Sequence, residues 1–253
     1  MSQYLFHPQD MIAGVRGPAI GLDFLSCQRI ELTGAQPTVT VDSGLEEFVL
    51  VCIAGQAGYA CGGATGTAHF KDVLYVPWKS TVALRSKRAV VMRVGAPSDR
   101  DTAFAHIRFS DVVKDARHKV FGQAENNSLR DVYQCIDDRF SASRLLMGIG
   151  EGSTGGWTVW PPHEHGDEKE ELYVYFDMGK ALAIQCIYET LDMPLFCGIV
   201  RDGDMVAVSR GYHPNVGCPG GRISYMYVMA ARAPGEREFM ALRVQKEFGD
   251  KLE

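Results

Sequence analysis

The chain has no C-x-x-C pair, no block of basic residues and no apolar run near the roughly 20 residues that span a bilayer. Each absence removes a class of function. Without paired thiols there is no basis for a thiolate zinc site. Without a basic block, and with a net charge of −5, the footprint of a nucleic-acid binder is missing. Without an apolar span no membrane helix is expected. The opening stretch MSQYLFHPQDMIAG has polar and acidic residues early and no apolar signal core, so a cytoplasmic protein is expected. The seven cysteines are Cys27, Cys52, Cys61, Cys135, Cys186, Cys197 and Cys218. An odd number without paired spacing argues against a disulfide framework and for a reducing compartment.

What is present is strand signal. TVTVDS, EFVLVCIAG, AGYAC, DVLYVPW, STVALRS and RAVVMRVG follow one another between Gly, Pro and Asp punctuation, over residues 30 to 110. A more polar stretch follows, SDVVKDARHKVFGQAENNSLRDVYQCIDDRF, with room for a short helix or an ordered connection. Strands then return with RLLMGIGEG, WTVWPP, ELYVYFDM, KALAIQCIYE, FCGIVRDGD, MVAVSRG and ISYMYVMAARA. Two strand-rich blocks around a linker near residues 111 to 140 predict a duplicated all-β architecture with few helices. The domains are expected at 1–115 and 116–253. The 253 residues, 46% hydrophobic and 23% charged, are ample for two small cores.

The histidines separate the blocks. His7, His69, His106 and His118 are scattered, and each reads as a surface or satisfied core residue. His163 and His165 stand two apart on a strand-like segment, so their side chains share a face. His213 lies in the tight corner RGYHP after a valine-rich strand. Each imidazole offers one neutral nitrogen to a metal, and a nearby carboxylate supplies charge. Glu170 and Glu171 point to opposite faces of their strand. Glu171 shares its face with Tyr173 and Tyr175, whereas Glu170 shares with Leu172, Val174 and Phe176. A polar ligand cavity favours Glu171, which leaves Glu170 as a solvated edge residue or part of the mouth. The amino block has no His-x-His and is expected to be metal-free.

These spacings resemble the two signatures of the cupin superfamily. Gly179 closes the first, and Gly203, Gly211 and His213 build the second. Ser209 stands where a proline is common and Gly217 where an asparagine is common, and neither is a ligand position. More narrowly, Pro161-Pro162-His163-Glu164-His165, Gln185 with Tyr188, and Arg210-Gly211-Tyr212-His213-Pro214 resemble the 5-deoxy-glucuronate isomerases of myo-inositol catabolism. The related 5-keto-4-deoxyuronate isomerases of pectin breakdown are similar in the EELYVYF strand and the short turn after His165.

The resemblance implies a bicupin, two double-stranded β-helix barrels with the metal in the second. It implies a divalent ion on His163, His165, Glu171 and His213, zinc first, with manganese, iron or nickel as alternatives. It also implies aldose–ketose isomerisation of a deoxy sugar acid, 5-deoxy-glucuronate first. A metal would act as a Lewis acid on a carbonyl and its neighbouring hydroxyl, stabilising an enediolate. Tyr173, Gln185, Tyr212 and Tyr225 are the catalytic candidates, with Tyr175 on the same face. A tyrosine near a cation suits proton transfer, because the ion favours the phenolate. Arg201, Arg210 and Arg222 are the candidate cations for the substrate carboxylate. A cupin dioxygenase and a non-catalytic sugar-binding cupin stay open beside the isomerase. Exposed sheet edges point to a homo-oligomer.

Overall fold

The structure, a computed structural model, describes residues 4–252. In the first half lie β1 (Leu5–Phe6), β2 (Val15–Arg16), β3 (Ser26–Thr33), β4 (Thr38–Asp42), β5 (Glu46–Gly55), β6 (Ala57–Cys61), β7 (Ala64–Ala68), β8 (Val73–Val76), β9 (Thr81–Arg85), β10 (Arg88–Pro97) and β11 (Ala105–Ile107). A short helix, α1 (Phe109–Val112), leads to β12 (His118–Phe121), β13 (Arg130–Ile136), β14 (Leu145–Gly152), β15 (His163–Glu164) and β16 (Lys169–Tyr175). There follow β17 (Leu182–Thr190), β18 (Met193–Arg201), β19 (Met205–Val208), β20 (Asn215–Gly217), β21 (Ser224–Ala231) and β22 (Arg243–Val244). The fold is all-β, as the valine-rich runs predict. No helix of the described residues is long and apolar enough to cross a membrane.

The strands make two large sheets, two smaller ones and a two-stranded pair, β15-β22. One large sheet runs β11-β8-β5-β10-β3-β2 and the other β1-β19-β16-β21-β14-β13-β12. The six strands of the first match the first six of the second in order, with β12 added at the far edge, which is the duplication that the layout predicts. The two sheets pack face to face. Val49, Val51, Met92 and Val94 of one meet Leu172, Val174, Met226 and Val228 of the other in a single apolar core. On its outer face each large sheet is closed by a smaller sheet, β4-β9-β6-β7 in the first half and β18-β17-β20 in the second. The alternation of strand side chains therefore gives every central strand two buried faces, one toward the other half and one into its own barrel.

Two buried carboxylates clasp the halves. Glu47 on β5 accepts the backbone N–H groups of Ser143, Arg144 and Leu145 at 2.7, 2.6 and 2.9 Å. Glu170 on β16 accepts those of Asp23, Phe24 and Leu25 at 2.8, 2.8 and 2.6 Å. Each half thus ties down the chain that enters the other's large sheet. This corrects the reading of Glu170 as a solvated edge or mouth residue: it is 1% exposed, and its face is the one between the halves.

Two further expectations need revision. The polar stretch near 111–140 is no mere linker, because β12 and β13 within it belong to the second large sheet. The segment WTVWPP forms no strand, only an isolated bridge from Trp157 to Val216. We propose the division between the halves at residues 115 and 116, with one exchange. The first strand, β1, pairs with β19 of the second half. The seven cysteines are free, and the Cys186 and Cys197 sulfurs lie 3.4 Å apart across β17 and β18.

Candidate metal centre and cavity

His163 lies on β15, His165 in the turn that follows, and His213 in the corner before β20. The corner depends on Gly211, which has φ +88°, and a Cβ there would sit 2.7 Å from the Tyr188 carbonyl oxygen. All three imidazoles are buried, and one ligand atom from each lies within 4.8 Å of the others. This is the only such group of metal-ligating side chains among the described residues. Glu171 Oε2 completes it, 3.1 Å from His165 Nε2 and 3.1 Å from His213 Nε2.

The donor set fits a cation. His213 Nδ1 donates to the Gly211 carbonyl at 2.9 Å, which fixes the tautomer and leaves Nε2 with a lone pair facing the group. His213 Nε2 and His165 Nδ1 are buried without a hydrogen-bond partner, a costly arrangement that a ligand would relieve. Burial, and then the neighbouring His213 and His165, push the His163 imidazole well below its ordinary range. Burial also lowers His165, against the Glu171 hydrogen bond. Both therefore favour the neutral form that metal binding requires. Burial alone would raise the Glu171 carboxyl, but the His165 hydrogen bond and the neighbouring His213 imidazole outweigh it and hold it well below the usual carboxylate range.

The group borders a cavity inside the second barrel, whose wall includes His163, His165 and Glu171. Tyr173, Tyr225, Tyr227 and Met229 line it. The Tyr173 ring lies 5.9 Å from that of His213 and 5.1 Å from that of Tyr225. Burial, then the Glu171 charge, raises the Tyr173 phenol well above its ordinary value, and burial pushes Tyr225 up to about 12. Both are neutral phenols near pH 7. The barrel has room for these rings because the facing strand carries glycine. A Cβ on Gly148 would meet the Tyr227 hydroxyl at 2.1 Å, and one on Gly150 the Tyr225 ring at 2.6 Å. The chain after β21 closes the mouth, with Phe239, Leu242 and Leu252 in the lining. Lys169 Nζ holds this segment through the carbonyls of Glu238 and Ala241 at 2.8 and 2.5 Å.

Two catalytic candidates are elsewhere. Gln185 is fully buried, and its amide donates to the His213 carbonyl at 2.7 Å while its oxygen accepts from Tyr175 at 2.5 Å. It braces the corner that carries His213 and has no group left for a substrate. Tyr212 packs on Tyr188, with ring centroids 5.8 Å apart, in an outer groove beyond the cavity wall; the strand alternation that turns His213 inward turns its neighbour out. The candidate cations also miss the cavity. Arg222 pairs with Glu151 and Asp177, Arg210 pairs with Glu189, and Arg201 is exposed on β18. The cation that does line the cavity is Arg130 on β13. It was hidden in the stretch read as a linker. Its signal was the alternation Arg130, Val132, Gln134, in which a charged residue takes an inward position.

The fold, two β-barrels back to back with one histidine-rich cavity, is that of a bicupin. The chain belongs to the KduI/IolB family, whose sequence model matches residues 3–244. It is 30% identical over 164 residues to a 5-deoxy-glucuronate isomerase of Shouchella clausii, covering 60% of this chain and 57% of that protein. The chain thus spans under two thirds of that relative's length. A 4-deoxy-L-threo-5-hexosulose-uronate ketol-isomerase of Rhizobium meliloti is 26% identical over 233 residues, 88% of this chain and 78% of that protein. Among solved structures, an IolB-like protein of Salmonella typhimurium superposes with a TM-score of 0.84 at 19% identity, over 97% of both chains. The oxalate decarboxylase of Lactobacillus farciminis gives 0.65 at 11% identity, over 98% of this chain and 90% of that one. At such identities these two likenesses speak for the fold.

Proposed function

We propose that the protein is a metal-dependent isomerase of a deoxy sugar acid, with His163, His165, Glu171 and His213 as ligands and 5-deoxy-glucuronate as first substrate. The observation that carries the reading is the convergence of three buried imidazoles and one carboxylate beside a cavity lined by Tyr173, in a chain of this family. A divalent ion held there supplies Lewis acidity toward a carbonyl and its neighbouring hydroxyl. Isomerisation also needs a proton taken from the hydroxyl-bearing carbon and returned to the former carbonyl carbon. Tyr173 is the cavity phenol nearest the ligand cluster in sequence and touches His213, so we assign it the proton transfer. Tyr225, packed on Tyr173, orients it. Zinc is our first metal, consistent with imidazole and carboxylate donors, with manganese, iron and nickel as alternatives. Free thiols support a reducing, cytoplasmic setting. The open edge strand β18, with Met193 75% and Ile199 52% exposed, supports a homo-oligomer.

The test is direct. The purified protein is assayed for bound metal and for turnover of 5-deoxy-glucuronate and 4-deoxy-L-threo-5-hexosulose-uronate. His163→Ala and His213→Ala are expected to lose stoichiometric metal, and unchanged metal content would sink the ligand assignment. Tyr173→Phe is expected to keep the metal and lose roughly 10²-fold or more in turnover. If neither sugar acid reacts and oxygen is consumed with a small organic substrate, the dioxygenase reading replaces this one.

A further inference from the structure

Arg130 is 4% exposed and forms part of the cavity wall that also carries His163, His165 and Glu171. Its fixed partner is a single carbonyl: Nη1 donates to Ser128 O at 3.1 Å. No carboxylate among the described residues pairs with it. The other deeply buried arginines are treated differently. Arg93 pairs with Glu46 at 2.5 Å and also donates to Ser26. Arg237 donates to three backbone carbonyls, those of Asp137, Phe140 and Leu145. A guanidinium has five donors and keeps its charge in proteins. Burying one without a counter-ion is costly, and such charges are ordinarily paired. Arg130 therefore stands out as a buried cation with no carboxylate partner among the described residues.

Its surroundings show what that partner is. Tyr225 and Tyr173 line the same cavity as Arg130, and the Tyr173 ring lies 5.9 Å from that of His213. The guanidinium, two phenols and the ligand cluster thus share one cavity wall. The Phe121 ring lies under Arg130, 5.6 Å from its Cζ. Val132, Met229 and Leu242 make the remaining wall apolar, so water competes weakly for the cation.

We propose that Arg130 is the receptor for the substrate's carboxylate and makes the cavity select sugar acids over neutral sugars. This rests on the reading of the cavity as a sugar-acid site. The planar fork suits a carboxylate bound through two parallel hydrogen bonds, which a lysine reproduces poorly. Held at that end, the carbonyl end of a short sugar chain is directed to the histidine cluster. Arg130 is then a positioning residue for the chemistry and sets specificity through charge.

The experiment is calorimetric titration of the metal-loaded protein with glucuronate, glucuronamide and glucose, on the wild type and on Arg130→Met and Arg130→Lys. We expect the wild type to bind glucuronate at least about 10-fold tighter than glucuronamide or glucose. In Arg130→Met that preference falls to near unity while glucose binding is unchanged, and Arg130→Lys keeps part of it. With a reactive deoxyuronate, KM rises roughly 10- to 100-fold and kcat changes little. A wild type without preference for glucuronate, or an Arg130→Met variant that keeps it, overturns the proposal. A wild type that binds glucuronate no tighter than glucuronamide overturns the proposal even if the variants fail to fold. A wild type that prefers glucuronate through Arg130 but isomerises neither deoxyuronate supports the carboxylate receptor and refutes the isomerase.

Discussion

The two halves share the order of six strands and their clasping glutamate, yet among the described residues only the second holds a histidine cluster. Glu47 pairs across from Ala96 and Glu170 from Ala230. Matching the sheets through these carboxylates sets Phe48 against Glu171, Leu50 against Tyr173, Val91 against Tyr225 and Arg93 against Tyr227. On the next strand Gln28 and Ile30 stand opposite Gly148 and Gly150. The first barrel is therefore filled: Phe48, Leu50, Ile30 and Val91 belong to its apolar core. In the second barrel glycine clears the floor and tyrosine takes the wall. The face toward the other half is apolar in both, because it forms the shared core. The inner face is free to vary, and there the difference between plug and cavity resides.

The largest effect should come from imposing the first half on the second. Glu171→Phe places the residue of the filled barrel at the ligand position. It is expected to abolish stoichiometric metal and isomerase turnover while the protein still melts cooperatively, as read by elemental analysis, product formation and thermal unfolding. A variant that keeps its metal breaks the comparison at its central position.

Removing the shared feature should act on both halves alike. Glu47→Ala and Glu170→Ala each leave three backbone N–H donors without their carboxylate, and each should destabilise the fold by about 3–5 kcal/mol in urea titrations. A large inequality between the two would show that the clasp is not symmetric. Metal content of Glu47→Ala should stay at the wild-type level under native conditions.

A smaller effect is expected at the floor of the cavity. Gly150→Ala brings a Cβ to 2.6 Å from the Tyr225 ring, an overpacking that should cost about 1–3 kcal/mol. Fluorescence-monitored unfolding measures it, and Ile30→Ala, which instead opens a cavity in the filled barrel, is the paired control. A neutral or stabilising Gly150→Ala would mean that the tyrosine has another place to go.

The smallest effect concerns an ion cluster that joins the halves. Asp177 accepts from Lys71 of the first half at 2.9 Å and is also paired with Arg222. Burial alone would raise its carboxyl, but these two hydrogen bonds outweigh it and hold it below the ordinary value of 3.8. A carboxylate with a depressed folded pKa adds stability above its unfolded pKa and loses it as pH falls through the folded value. Asp177→Asn should therefore cost less than about 1 kcal/mol at pH 7, since the group is partly solvated. The gap from wild type should close below pH 3.8. A gap that stays constant with pH would assign the effect to packing.

Much of this was legible in the residues. Valine-rich alternation marked the strands of both halves, and His163, His165 and His213 stood out by spacing alone. The parity of β16 put Glu170 and Glu171 on opposite faces, because side chains alternate along any strand. Which face held the cavity was a different matter, as were the partners of Gln185, the outward turn of Tyr212 and the inward turn of Arg130. Those depend on contacts between segments far apart in the chain, such as Glu170 with residues 23 to 25. The sequence by itself determined the local periods and the identity of the donors, because period and donor type are properties of neighbouring residues. Only the tertiary structure decided which donors share a cavity and which charge there has no counter-ion among the described residues, because burial and pairing are properties of the assembled sheets.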